Sequence, residues 1–227
     1  MSERPVALIT GASRGVGAAV ARALADRYAL VLGGRGGAAL EKICQELGAH
    51  PLPVDLTELT EADVAHLGRV DLLVHSAGVI TLGAIATTPA EVWRATYEVN
   101  VVAVAELTRL LLPALRATRG QVVFINSGSG LRVHPGWASY GASKHALRAL
   151  ADGLRLEEPA IRVTSIFPGR VDTDMQRRVR AQENGEYQPE RYLAPESVAA
   201  AVLAAVTATP DAHVTEITLR PAPGPVT

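Results

Sequence analysis

The chain has 227 residues, 48% of them hydrophobic and 20% charged, with a net charge of −1 and a pI near 6.6. That length suits one α/β domain with a sizeable core, and the near-neutral balance removes any electrostatic case for nucleic acid or an anionic membrane. A single cysteine, Cys44, excludes an intrachain disulfide and fits a reducing cytoplasm; no apolar stretch reaches the roughly 18 residues of a membrane helix, and Arg4 and Pro5 lead into a strand-like run rather than a secretory leader.

Strand-like and helix-like runs then alternate. Residues 5–10 read as a buried first strand. The turn Thr10-Gly11-Ala12-Ser13-Arg14-Gly15-Val16-Gly17 opens an Ala-rich helix over 15–27. Glycines between a strand and a helix permit a tight turn and close backbone approach, and the helix N-terminus favours the charge of a pyrophosphate. A second strand is expected over 29–33. Sites built for NAD place a carboxylate about 20 residues beyond the glycine turn, against the ribose 2′-hydroxyl. Here Leu32-Gly33-Gly34-Arg35 offers none. Arg35, with Arg14 inside the turn, can meet a 2′-phosphate instead, because a planar guanidinium suits phosphate. These residues favour NADP(H).

A helix over 36–47 follows, in which Cys44 reads as packing. Strands are expected over 50–55 and 70–75, with a short polar-and-leucine stretch between them. Thr88-Pro89-Ala90-Glu91 reads as a capping box with proline at the first helical position, opening one long helix over 88–116. Then come a strand over 121–126, a helix over 139–156 and a strand over 161–167 ended by Pro168-Gly169. After a polar stretch, Pro195 opens another Ala/Val helix, and 213–219 alternates as a last strand. The expected fold is α/β: a single doubly wound Rossmann-type domain over 1–227, with a mostly parallel seven-stranded sheet and helices on both faces.

Tyr140 and Lys144 stand four residues apart on the helix over 139–156, hence on one face. A phenol is a poor acid–base near neutrality, and a nearby cation lowers its pKa. Ser127, just past the strand over 121–126, can donate a hydrogen bond to a substrate oxygen; Ser129 is its rival. The six histidines are scattered without zinc-ligand spacing, so no metal is expected.

The chain resembles the short-chain dehydrogenases/reductases over nearly its whole length. The family's T-G-x-x-x-G-x-G is met by Thr10, Gly11, Gly15 and Gly17. Its N-N-A-G turn appears as His75-Ser76-Ala77-Gly78, its serine as Ser127, its Tyr-x-x-x-Lys as Tyr140 and Lys144, its catalytic asparagine as Asn100, and its P-G-x-V-x-T as Pro168-Gly169-Arg170-Val171-Asp172-Thr173. The resemblance implies that Asp55 holds the adenine amino group and Thr173 the nicotinamide carboxamide. It also implies that Lys144 holds the ribose hydroxyls and that Asn100 carries a water linking Lys144 to solvent. Cofactor contacts are further implied at Ser13, Arg14, Val16, Arg35, Leu56, Ala77, Gly78, Tyr140, Pro168, Gly169 and Val171. Three departures stand out: His75-Ser76 in place of two asparagines, a short segment between Asp55 and Val70, and the tail 214–221 where the family commonly ends in glycines.

Ligands of such sheets bind beyond the carboxyl ends of the strands. The substrate pocket is expected from 131–137, 78–84 and the loop after Pro168, with Ser129, Trp137 and Met175 as candidate walls; Trp137 reads equally as a packing or subunit contact. A polar flap over 170–194, low in apolar anchors, is expected to be mobile and partly ordered by cofactor. Its arginines (Arg170, Arg177, Arg178, Arg180, Arg191) read mostly as a solvated helix face. The leading reading is an NADP(H)-dependent reductase of a ketone or aldehyde, or the reverse alcohol oxidation, with Tyr140 as general acid/base. The resemblance implies a homodimer or homotetramer. Alternatives are an NAD-linked alcohol dehydrogenase and a non-catalytic dinucleotide-sensing regulator.

Overall fold

A computed structural model describes residues 4–222. Its elements are β1 (Val6–Ile9), α1 (Gly15–Leu24), β2 (Ala29–Gly34), α2 (Ala38–Leu47), β3 (His50–Pro53), α3 (Glu61–Val64), β4 (Leu72–His75), α4 (Ala90–Tyr97), α5 (Ala103–Thr118), β5 (Gln121–Ile125), α6 (Ala138–Glu157), β6 (Arg162–Pro168), α7 (Asp174–Gln182), α8 (Pro195–Val206) and β7 (Glu216–Leu219). The strands form one parallel sheet in the order β3-β2-β1-β4-β5-β6-β7. This is a doubly wound, Rossmann-type α/β fold.

Central strands such as Leu72–His75 are buried on both faces, which is why they read as continuous apolar runs rather than alternating ones. Two cores result. One lies between the sheet and α1, α2 and α8, with Ile9, Val20, Leu24, Leu32, Ile43 and Val202. The other lies under α5 and α6, with Leu8, Leu107, Leu111, Phe124, Leu147 and Leu154. Small residues let α1 and α8 approach closely: Gly17, Ala18, Ala19 and Ala21 are buried on one, Ala199 and Ala205 on the other. Cys44 is a buried free thiol in the first core. Among the described residues, no helix is long and apolar enough to cross a membrane.

Three expectations from sequence are corrected. The long helix over 88–116 is two helices joined by a π-helical turn, Glu98–Val102. Asn100 sits in that turn, where the widened backbone turns its amide inward. The capping box at its start does not form: the Thr88 hydroxyl donates to the Ala84 carbonyl, and Pro89 is the cap residue outside the helix. The capping box that does form is Thr60 with Asp63, starting the single-turn α3 in the short segment after Asp55. The last strand is only Glu216–Leu219, because the chain before it is tied to β6 in other ways: the His213 ring bonds the Val163 backbone, and the Thr164 hydroxyl donates to the Val214 carbonyl.

Candidate active site

A cleft of about 1250 Å³ opens along the carboxyl ends of the strands. Its first wall is the turn between β1 and α1. Gly11 has φ +64°, and a Cβ there would lie 2.8 Å from the Ala77 Cα. A Cβ on Gly17 would lie 2.4 Å from the Gly11 carbonyl oxygen. Neither position admits a side chain, so the turn presents bare backbone and the N-terminus of α1 to the cleft. Thr10 fastens the turn to the end of β4: its buried hydroxyl accepts from the Ser76 and Ala77 amides at 3.0 and 3.1 Å. That tether works without asparagines at positions 75 and 76.

Ser13, Arg14, Gly15, Val16, Arg35, Asp55 and Leu56 line the same end of the cleft, and Ala77, Gly78, Pro168, Gly169, Val171 and Thr173 line its middle. The Asp55 carboxylate accepts from the Thr57 amide and hydroxyl at 3.0 and 2.8 Å. These bonds, helped by the Arg35 charge, hold it below the usual carboxylate range. Arg14 reaches Asp174 at 3.8 Å, an exposed pair. The Thr173 side chain caps α7 by accepting from the Gln176 amide, and its methyl group packs on Gly15. The bare glycine backbone, the helix N-terminus and two arginines fit the pyrophosphate and phosphate groups of a dinucleotide.

Tyr140 and Lys144 lie on the inner face of α6, 8% and 4% exposed. The Lys144 ammonium donates to the Ile125 carbonyl at 3.0 Å and sits 5.8 Å from the centre of the tyrosine ring. Burial pushes the lysine down to about 8. Burial also raises the Tyr140 phenol, and its hydrogen bond with Ser127 only partly opposes that. Over all causes the phenol therefore stands above its ordinary value rather than below it. Desolvation of the phenolate dominates, and the ammonium is engaged by a backbone carbonyl.

Asn100 does not line the cleft. It stands behind it, its amide bonded to both the NH and the CO of Val79 (2.8 and 2.9 Å) and to the Ser143 hydroxyl (3.0 Å). Ser143 in turn donates to the Tyr140 carbonyl. Asn100 thus locks the loop after β4 against the helix that carries Tyr140. Asn126 does the equivalent for Ser127 and Lys144, accepting from the Ser127 amide and donating to the Lys144 carbonyl. It was not picked out from sequence. The signal available was Gly130, where a Cβ would fall 2.3 Å from the Asn126 amide oxygen.

His75 is 2% exposed beneath this group. Its ring stacks on Phe124 at 5.1 Å, Nε2 is 2.9 Å from the Thr108 hydroxyl, and Nδ1 has no partner among the described residues. Thr108 donates its own proton to the Val104 carbonyl, so Nε2 carries the histidine's proton. Burial, with the Lys144 charge second, holds this ring neutral down to about 3.

The other end of the cleft is lined by Val79, Ser129, Trp137, Met175 and Val179. Trp137 meets Tyr140 edge-on at 6.0 Å, and the Arg170 guanidinium lies 5.4 Å from the centre of the Trp137 ring. The segment expected as a bare polar flap contains α7 and is better anchored than its composition suggests. Val179 and Gln176 are buried. Glu183 is gripped by Arg170 through two bonds (2.8 and 2.9 Å) and by Arg180, and Tyr187 bonds Asp172. Among the described residues, no group of His, Cys, Asp or Glu is arranged to hold a metal ion.

The sequence profile of the short chain dehydrogenases matches residues 5–184. The glycine betaine reductase ATRR of Emericella nidulans is 36% identical over 240 residues, covering 97% of this chain; the chain spans only 19% of that longer protein. The short-chain type dehydrogenase/reductase y4eK of Sinorhizobium fredii is 33% identical, covering 97% of this chain and 93% of that one. An alcohol dehydrogenase from the archaeon Thermococcus sibiricus, solved with 5-hydroxy-NADP, superposes with a TM-score of 0.86 at 33% identity, covering 96% and 97% of the two chains.

Proposed function

The chain belongs to the short-chain dehydrogenase family, and from that premise we propose that it is an NADP(H)-dependent oxidoreductase interconverting a ketone or aldehyde with its alcohol. The observation that carries this reading is the buried Tyr140 phenol, bonded to Ser127 and beside Lys144, at the middle of a cleft whose other end is a bare-backbone glycine turn. A non-catalytic sensor has no use for that pair. We read residues 1–227 as one dinucleotide-binding unit.

The bound nicotinamide would supply or accept the hydride. The protein's part is the proton and the orientation. Tyr140 holds its proton in the resting site, because burial raises the phenol; it is poised to give that proton to a carbonyl oxygen gaining charge. The Ser127 hydroxyl, which accepts from the Ser129 amide while Asn126 holds the Ser127 backbone amide, donates to the same oxygen. Lys144 keeps a positive charge behind the phenol below pH about 8, which favours phenolate once the proton has left. Asn100 and Asn126 hold these groups in register.

For the cofactor, support comes from Arg14 and Arg35 at the cleft's first end, with no carboxylate at the end of β2. The solved relative carrying 5-hydroxy-NADP points the same way. We expect NADPH to bind more tightly than NADH by roughly 1.5–3 kcal/mol, the size of one or two charge-assisted hydrogen bonds. Titrating both into the pure protein tests it; equal affinities, or an Arg35→Asp variant that still prefers NADPH, would sink it. Carbonyl reduction followed at the nicotinamide absorbance tests the activity.

We further propose a homodimer or homotetramer in a cytoplasmic setting. Val102 beside α5 and Leu156 on α6 are 49% and 83% exposed, and Cys44 is a free thiol. Light scattering at micromolar concentration with cofactor checks the assembly.

A further inference from the structure

Among the described residues, eleven of the twenty arginines meet a carboxylate. Arg22 meets Glu46, Arg69 meets Asp71 and Arg116 meets Glu158. Even on the flap, Arg170 and Arg180 share Glu183, and Arg177 lies 3.6 Å from Asp172. The cleft holds four that do not. Arg132, Arg178, Arg191 and Arg220 are among the residues that line it, and none of the four has an ion-pair partner among the described residues. The carboxylates that line the cleft are Asp55, Asp174 and Glu183. Asp55 is bonded to Thr57, Asp174 faces Arg14, and Glu183 is occupied by two arginines. The result is a concave surface with an uncompensated positive field next to the reacting group, which draws anions in.

Arg220 is the best placed of the four. It follows β7 in the tail that departs from the family's glycine-rich ending. Its Nη1 donates to the Leu219 and Phe167 carbonyls at 3.1 and 3.4 Å, which fixes the head group; Nη2 and Nε have no protein acceptor among the described residues. The guanidinium lies over Gly128, where a Cβ would stand 3.2 Å from Nη1 and 3.5 Å from both Cζ and Nη2. Gly128 is the residue after Ser127. A guanidinium with free donors therefore stands over the residue that follows Ser127, whose hydroxyl is assigned to the substrate oxygen.

We propose that the substrate is an oxo acid, a short ketone whose carboxylate is received by Arg220 beside Ser127, with Arg132, Arg178 and Arg191 drawing it into the cleft. This rests on the carbonyl-reductase reading above and adds the charge of the substrate to it. Guanidinium and carboxylate match in shape as well as charge, so the pair fixes which way the chain of the substrate points.

The test compares acetoacetate and levulinate with their methyl esters, using NADPH and the full-length protein. The wild type should favour acid over ester in kcat/KM by roughly tenfold or more, the worth of one charge-assisted bond. Arg220→Gln should remove most of that ratio, mainly through KM, and Arg220→Lys should keep part of it. An ester preference in the wild type, or an unchanged ratio in Arg220→Gln, would overturn the proposal. So would reduction of dihydroxyacetone phosphate in preference to both oxo acids, since that would make the anion a phosphate. Should none of these compounds be reduced, calorimetric titration of valerate and valeramide into the NADP-loaded protein decides: tighter valerate binding that is lost in Arg220→Gln supports the assignment, and equal binding defeats it. Reduction of esters with indifference to acids counts only against this inference. Absence of NADPH-coupled turnover on every carbonyl compound counts against the activity itself.

Discussion

The two ends of the cleft are built from different materials. At the cofactor end the shape is made by backbone, in a turn where Gly11 and Gly17 leave no room for a Cβ and the Thr10 hydroxyl ties two amides. At the substrate end it is made by long side chains: Glu183 held by Arg170 and Arg180, and Trp137 between Arg170 and Tyr140. Backbone walls have few ways to rearrange. Charge-paired walls respond to salt, pH and ligand charge. One end can thus serve a constant cofactor while the other is retuned for a substrate without touching the first.

The sharpest way to test that division is at the seam between the ends. Tyr140→Phe keeps the ring and removes the proton donor. Turnover should fall by at least about 10²-fold, the low end for general acid–base catalysis, with NADPH binding nearly unchanged in a direct titration. Lys144→Ala should lower both. If Tyr140→Phe left turnover near normal, the acid would have to be sought elsewhere.

Gly17→Ala asks whether the cofactor end really is rigid. The new methyl group would meet the Gly11 carbonyl oxygen at 2.4 Å, backbone against backbone, and relief requires moving α1. We expect a stability loss of roughly 1–3 kcal/mol, the usual cost of overpacking, and weaker NADPH binding. A normal denaturation midpoint together with normal affinity would show that the turn yields more easily than its contacts imply.

His75 lies buried at the end of β4, and its effect is read by pH. The folded protein keeps the ring neutral down to about 3, whereas an unfolded chain protonates it near 6.5. Between these values the unfolded state binds the extra proton. Stability should therefore fall as pH drops below about 6.5, by at most ~1.4 kcal/mol per pH unit from this residue. Urea unfolding from neutrality down to mildly acid pH measures the slope. His75→Phe, which removes the titrating ring, should flatten it, and an unaltered slope would clear His75 of the effect.

The smallest expected effect is at the flap. Glu183→Gln loosens the Arg170 and Arg180 contacts at a cost of about 1 kcal/mol or less, because the arginines are partly exposed. Hydrogen exchange over 172–192 should speed up in the variant, and in the wild type should slow on adding NADPH. Identical exchange with and without NADPH would end the case for a flap coupled to the cofactor.

The same division explains what could be read from the sequence. The glycine turn, the strand alternation and the Tyr140–Lys144 pair follow local rules of period and backbone freedom, so they were legible. The ion pairs of the flap were not. Arg170 and Glu183 are thirteen residues apart, and nothing in a polar run says which charges will meet once a helix forms between them. Arg220 escaped for a related reason: its neighbour Gly128 lies far away in sequence and only the pairing of β6 with β7 brings the tail there. Spacing alone pointed to Lys144 beside Tyr140 but not to how deeply the phenol is buried, and that burial raises it.

The π-helical turn at Glu98–Val102 carries one consequence of a different kind. It absorbs one extra residue within a single wide turn. Because an α-helix turns about 100° per residue and a π-turn correspondingly less, the helices on either side stay nearly in phase. Removing one residue there would restore an ordinary helix and leave the flanks in place, but the wide backbone that turns the Asn100 amide inward would be gone. The bonds that fasten the loop at Val79 would be lost with it. In this stretch the number of residues is itself a site determinant, and a deletion should do more harm than most substitutions at the same positions.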